Sequence, residues 1–439
     1  MPTFLRKLLV TGLVMAVTCA EIDAEPPGVR FGIDSFLGNI AHSEVGPAEV
    51  KPTPEDRTHY LDAVHDLGVT TIRETWSWAE IEPEPGKGYQ FDVFDDIAQK
   101  ASERDIEIVA LVYPVPCWAS GTTPAPAGEA KGMLELPQRK FEADFRRFVR
   151  TVVTRYCGYS GQHPASLRLE RPIRTWILSN ELDIAGAKGQ TSPDDYAFWL
   201  KAFQEEVKAV DSGAKVVTLG LAQPINDKYL PNVLASKNLQ GPGYPYFDIV
   251  AYHKYLLAPK ADAAASLPEM NDIQAVVRRR LDEHKINADQ WITETGSCNF
   301  DFQAQCDINM MGVVHAASTG VRRVYLHGLW DMTGYGGGVL EKTPSGRVPV
   351  RKPLFVAYQT LLRMIGHNEG VQFLGVGRYR ALLPGNKSVY IAWTLDPAKD
   401  KLDLLTGRIR VTNLQGKQRD INATELVISS HPVFIETLE

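Results

Sequence analysis

Thr175-Trp176-Ile177-Leu178-Ser179-Asn180-Glu181 reads as a short strand that runs into a polar step and stops on a carboxylate. Gln290-Trp291-Ile292-Thr293-Glu294 has the same form further along the chain. Neither run alternates apolar with polar residues. Strands buried on both faces, as in parallel sheets, have this character. Six further runs share it: Val29–Ile33, Thr70–Thr75, Glu107–Tyr113, Lys215–Leu219, Phe247–Tyr252 and Val324–Gly328. With Thr175–Ser179 and Gln290–Thr293 they make eight strands in order.

The segments between them carry helix signals. Thr53-Pro54-Glu55-Asp56 offers a capping threonine, a proline for the first helical position and acids for the first turn. Ser192-Pro193-Asp194-Asp195 repeats the device. From Phe141, the residues Phe145, Phe148, Val149, Val152 and Tyr156 fall on one stripe, with Arg146, Arg147 and Arg150 outside it. The last helix covers Leu354–Ile365. Strand–helix units repeated in this way predict an α/β chain forming a closed (β/α)8 TIM barrel rather than an open doubly wound sheet. No glycine-rich phosphate loop follows the first strand, which argues further against a nucleotide site.

After Gly366 the pattern becomes short and alternating: Val371–Val376, Tyr379–Leu383, Ser388–Thr394, Arg408–Asn413, Glu425–Ile428 and Val433–Glu436. This predicts a small antiparallel sheet or sandwich, marginal alone and therefore packed on the barrel wall. The expected division is an export signal over 1–24, the barrel over 25–366 and the β domain over 367–439.

The signal reading rests on Arg6 and Lys7, followed by a short apolar stretch from Leu8 to Ala20. Thr18-Cys19-Ala20 and Ile22-Asp23-Ala24 both have the form of a cleavage end, and Ala16-Val17-Thr18 fits a lipidation site at Cys19 poorly. A periplasmic or secreted protein is expected, with inner-membrane association as the alternative. Four cysteines remain: Cys117, Cys157, Cys298 and Cys306. An exported chain permits disulfides, and Cys298–Cys306 is the favoured pair, with Cys117–Cys157 behind it and four reduced thiols as the bland alternative.

Net charge is −6 and there is no long basic run, so nucleic acid and anionic membrane surfaces are poor partners. The histidines lack His-Glu-x-x-His spacing and the cysteines lack Cys-x-x-Cys, so no metal site is expected and no cofactor is called for.

A residue at the C-terminal end of a barrel strand points into the mouth, where barrel enzymes do chemistry. Glu181 ends the fourth strand and Glu294 the seventh. Two carboxylates there are the equipment for breaking a glycosidic bond: one protonates the leaving oxygen, the other attacks or activates water. Arg73 ends the second strand, Asp34 follows the first, and His253-Lys254-Tyr255 follows the sixth. Trp76, Trp78, Trp118 and Trp330 all follow strands.

On these residues the chain resembles the clan A retaining glycoside hydrolases. It is most similar to family 39 and to the endoglycosidases of bacterial Psl-like exopolysaccharides. The likeness spans the barrel and extends into the C-terminal sheet. It implies that Glu181 is the acid/base and Glu294 the nucleophile. It further implies that Arg73 keeps the nucleophile ionised and Asn180 meets the sugar 2-hydroxyl. His253-Lys254-Tyr255 matches the clan's His-x-Tyr, whose hydroxyl contacts the nucleophile, with Tyr252 as the competing candidate. Trp330 matches the tryptophan floor under the sugar, and Asp34 and Trp118 are further candidate substrate contacts. Ser179 departs from the pattern, because family 39 members often have tryptophan there. The expected partner is an oligo- or polysaccharide, handled by a monomer, with a polysaccharide biosynthesis or export complex as a further candidate.

Overall fold

A computed structural model describes residues 27–38, 52–122, 135–158, 166–184, 191–225, 228–257, 260–298, 301–331, 336–341, 346–395 and 405–438. The signal reading over 1–24 and residues 123–134, in the stretch between the third strand and the helix Glu142–Tyr156, lie outside them.

Eight parallel strands close into a barrel in sequence order. They are β1 Arg30–Asp34, β2 Thr71–Thr75, β3 Glu107–Val112, β4 Thr175–Leu178, β5 Lys215–Val217, β6 Ile249–Tyr255, β7 Asp289–Gly296 and β8 Arg323–Leu326. The TIM-barrel expectation is met, with ends moved by a few residues. The first capping signal holds in full, with Thr53 accepting from the Asp56 amide and Pro54 opening the helix Pro54–Leu67; at the second, Pro193 opens the helix Pro193–Val210 but the Ser192 side chain makes no capping bond.

The barrel interior is packed, not hollow. Val109, Leu111, Ile177, Val217, Ile249, Ala251, Trp291 and Tyr325 form its own cluster. Gly32 is required there: a Cβ would lie 2.4 Å from the Tyr325 ring. Below them Glu107 takes Arg323 at 2.8 Å and Arg30 at 2.6 Å, while the Arg323 guanidinium covers Trp291 at 4.2 Å. This pairing anchors the N-terminal face and leaves the opposite end for the site.

A second sheet follows the last barrel helix, Pro353–Ile365. Its strands are β9 Gly370–Gly375, β10 Arg378–Leu383, β11 Lys387–Ala392, β12 Arg408–Asn413, β13 Gln418–Asn422 and β14 Val433–Leu438, in the order β13-β12-β14-β11-β10-β9. One strand corrects the sequence reading. Glu425–Ile428 is not a strand; the strand that pairs with the outer side of β12 is the polar run Gln418–Asn422. As an edge strand with exposed side chains, β13 carries no apolar alternation to find.

The sheet does pack on the barrel. Tyr379, Trp393 and Phe434 join the same buried cluster as the barrel helices. The helix Phe302–Ala317 lies between, buried at every residue from Gln305 to Ala317. His315 on it meets the Tyr379 hydroxyl at 2.7 Å.

Among the described residues the four cysteines are all free thiols, which corrects the expected Cys298–Cys306 bridge and the weaker Cys117–Cys157 pair. Cys306 is sealed inside the helix Phe302–Ala317, whereas Cys298 stands in the loop after β7. Cys117 follows β3 at the mouth, and Cys157 ends the helix Glu142–Tyr156 that leads down to β4. Among the described residues no helix is long and apolar enough to cross a membrane.

Candidate active site

Strand alternation decides which side chains reach the mouth. On β6 the inward series Ile249, Ala251, His253, Tyr255 is regular. On β7 it is not. Tyr252 pairs with Ile292 but His253 pairs with Glu294, so Thr293 is an extra residue. Without that bulge, alternation from inward Trp291 would send Glu294 out among the helices; with it, Glu294 turns inward.

Arg73 is the hub. It is almost fully buried and its Nη1 donates to Asp34 Oδ1 at 2.9 Å, Asp34 Oδ2 at 3.0 Å and Glu294 Oε1 at 2.8 Å. Its Nη2 donates to Asn180 Oδ1 at 2.6 Å. That bond orients the Asn180 amide, whose NH2 has no protein partner among the described residues. Asp34 is sealed from solvent and engaged by both Arg73 and His327 Nδ1, the latter at 2.7 Å. Its position is that of a holder of Arg73 rather than a side chain open to a ligand.

Glu294 takes a hydrogen bond from the Tyr255 hydroxyl on Oε2, so Tyr255 and not Tyr252 fills that place. Tyr252 is fully buried in the wall. His253 Nδ1 lies 2.6 Å from Glu181 Oε1 and 3.4 Å from Glu294 Oε2. The His253 Nε2 is buried against Gly220 with no partner, so His253 acts through an Nδ1–H that faces the carboxylates. One oxygen of Glu181, one of Glu294 and this nitrogen lie within 4.8 Å of one another. Asp34, Glu294 and His327 form a second such set. Both have donors of the kind that hold a cation, but the Arg73 guanidinium already supplies positive charge to Asp34 and Glu294.

The surroundings of the two glutamates differ. Burial alone would push Glu294 up; His253, Arg73, His327 and the Tyr255 hydroxyl outweigh it and hold the carboxyl down at about 2. Arg73, despite burial, is held above its usual range by Asp34 and Glu294. Glu181 is more open, with 22% of its side chain exposed against 7% for Glu294. Its backbone, like that of Ser179, sits in the left-handed region, with φ of 48° and 66°. Strained backbone of this kind persists only where the surroundings enforce it. Here the Ser179 amide donates to Val112 and the Glu181 amide to Gly220.

The sequence left some residues unseen. His327, just past β8, lies 3.8 Å from Glu294 Oε2 and is shifted upward, the cost of burial being overcome by Glu294 and Asp34. Trp330 stands three positions further on and is only 3% exposed, its ring 4.5 Å from that of Tyr60. The β8 side chain that reaches Glu294 is therefore His327. Tyr113 is buried near the same charges, and burial keeps its phenol protonated. Trp76 and Trp78 are core. Trp118 is half-buried, donates to the Glu82 carbonyl at 3.0 Å, and lines a hollow of about 510 Å³ with Ala79, Pro83, Pro116, Cys117 and Thr122.

No protein-family profile matches the chain, and no curated protein matches it in sequence. Solved structures do match in fold. A family 39 glycoside hydrolase from the gut symbiont Bacteroides cellulosilyticus WH2 superposes with a TM-score of 0.66 at 15% identity, over 95% of this chain and 82% of that one. A family 39 β-xylosidase from Caulobacter crescentus gives 0.62 at 15% identity, over 95% of this chain and 98% of that one. A family 51 α-L-arabinofuranosidase from Bifidobacterium longum gives 0.59 at 15% identity, over 94% and 96% of the two chains. The chain thus has the fold of family 39 and family 51 glycoside hydrolases, along nearly its whole length.

Proposed function

We propose that this protein is a retaining glycoside hydrolase, with Glu294 as nucleophile and Glu181 as acid/base. The observation that carries the reading is the closeness of the two carboxylates, which bring one oxygen each within 4.8 Å. Retaining sites hold their carboxyl groups ~5–5.5 Å apart, whereas inverting sites leave ~6.5–9.5 Å for a water.

The roles follow from the surroundings. Glu294 is held ionised, as an attacking carboxylate must be. Attack on the anomeric carbon gives a glycosyl ester as Glu181 passes its proton to the leaving oxygen. Glu181, now a base beside His253 Nδ1–H, takes a proton from water, which releases the sugar from Glu294. Asn180, fixed by Arg73, offers its NH2 to the sugar 2-hydroxyl, an interaction that strengthens in the transition state.

The substrate in this reading is an exopolysaccharide cut within the chain by an exported enzyme acting as a monomer. The Leu8–Ala20 apolar stretch supports export. The hollow beside Trp118, at the β3 exit, supports contacts beyond a single sugar. Association with a polysaccharide export complex belongs to the same proposal. The test has two parts. Glu294→Gln should lose activity on aryl glycosides and polysaccharide alike, and near-normal turnover would refute the nucleophile. Chromatographic sizing should show oligosaccharides from a polymer; release of monosaccharide alone would exclude internal cleavage in favour of an exo-acting β-xylosidase or β-glucosidase.

A further inference from the structure

Phe36 stands at φ 53°, a backbone conformation that a bulky residue rarely adopts. Its neighbours Asp34, Ser35, Leu37 and Gly38 are buried; Phe36 is the half-buried member of that run. Two neighbouring groups of β2 hold that run: the Arg73 carbonyl, which accepts from the Ser35 amide at 3.1 Å, and the Glu74 side chain. Glu74, itself 1% exposed, accepts from Ser35 Oγ at 2.5 Å, the Leu37 amide at 2.7 Å and the Gly38 amide at 3.1 Å. Three donors on one buried carboxylate fix the chain on either side of Phe36.

The clamp has a target. The Phe36 ring meets the His327 ring edge-on, with centroids 5.7 Å apart. The His327 ring in turn meets the Tyr255 ring edge-on at 5.6 Å. Tyr255 bonds Glu294, and His327 lies 3.8 Å from it. Phe36, His327 and Tyr255 therefore form a row of rings along the nucleophile's side of the mouth. Part of the Phe36 ring packs against the barrel's hydrophobic core, and its half-buried remainder borders this row, where an apolar face gains by covering another.

We propose that Phe36 is a substrate-contacting residue, an apolar wall for the C–H face of the sugar bound at Glu294, and that Glu74 is the positioning residue that holds it there. The inference rests on the glycosidase reading and names a sugar contact within that site. Phe36 offers no hydrogen bond, so it selects for a ring face without a hydroxyl pointing at it. Glu74 lies on β2 next to Arg73, so one strand fixes both the nucleophile's charge partner and the wall.

The test is steady-state kinetics on a panel of p-nitrophenyl β-D-xyloside, p-nitrophenyl β-D-glucoside and bacterial exopolysaccharide. On the substrate that the native protein cleaves, Phe36→Ala should raise KM about tenfold or more while kcat stays within about threefold. Phe36→Tyr should restore KM. Glu74→Gln should raise KM in the same way, and adding it to Phe36→Ala should bring no further rise, because both act through one ring. Ser35→Ala, which removes a single donor, repeats the test if Glu74→Gln does not fold. An unchanged KM in Phe36→Ala, or fully additive KM effects in the double variant, overturns this inference and leaves the glycosidase reading standing. A native protein inert on the whole panel overturns both.

Discussion

Arg73 spends one guanidinium on three side chains, and no lysine can copy that. A lysine ammonium is a point charge without the planar fork, so Arg73→Lys should hold Glu294 or Asn180 but not both. We expect kcat/KM to fall about 100-fold or more, since misplacing a catalytic group by ~1 Å costs on that order. The pH profile gives a sharper reading. Tyr255→Phe removes a donor to the ionised form of Glu294, so its pKa rises and the acid limb of kcat/KM moves to higher pH. An acid limb that stays in place would contradict the assigned hydrogen bond. The sign for folding follows from the same shift. Glu294 sits at about 2 in the folded chain against 4.5 unperturbed, so its stabilisation is present above pH 4.5 and is lost as pH falls towards 2. At this scale Glu181, Glu294 and Arg73 were legible because each stands at or just past the end of a run of strand-forming residues, whereas Asn180 and Tyr255 came from the resemblance, with Tyr252 competing for the second place. His327 was not legible. The apolar run of β8 continues in sequence through Gly328, while the strand ends at Leu326, so the residue at the mouth looked like strand interior.

Elements aim these residues, and two small features do most of the aiming. Thr293 adds one residue to β7 and reverses the facing of Glu294. No sequence pattern announces a bulge, since Trp-Ile-Thr-Glu is equally good as regular strand. The second is Gly220, after β5. A Cβ there would fall 2.0 Å from His253 Nε2, and the Gly220 carbonyl accepts from the Glu181 amide. Gly220→Ala should therefore displace His253 and with it the proton partner of Glu181. We expect a loss of about 100-fold in kcat with a small change in thermal stability, as for a catalytic group moved by ~1 Å. Thermal melts run beside the kinetics check this: normal kcat would show that His253 is not held by that contact. The reading of the second sheet failed at β13 for a related reason. Gln418-Arg419-Asp420-Ile421-Asn422 is paired through its backbone at an edge, and edge pairing leaves no apolar signature.

The molecule behaves as one packed body because the C-terminal sheet completes the barrel's outer core. Met310, Met311, Val313 and Val314 on the helix Phe302–Ala317 are buried, and His315 beside them meets Tyr379 of the sheet. Truncation after Gly366 should strip the sheet from this helix and yield an aggregating product, which a soluble-fraction assay reads. His315 makes the same junction sensitive to acid. Burial holds it down at about 4 against 6.5 unperturbed, so the folded chain binds fewer protons than the unfolded one between those values. Stability at this junction is therefore full above pH 6.5 and declines by about 3 kcal/mol as pH falls towards 4. His315→Gln, followed by melting at pH 5 and pH 7.5, should flatten that decline. The barrel and its order were legible across the whole length because eight two-sided buried strands leave a repeated signature. The close meeting of residues from β1, β2, β4, β6, β7 and β8 is a property of closure, and no local run of sequence contains it. Stereochemistry tests that meeting most directly. Proton NMR of the first product formed from a polysaccharide or aryl glycoside substrate should show the anomer of the substrate itself. First appearance of the opposite anomer would mean a single displacement through water, and would contradict Glu294 as the attacking group.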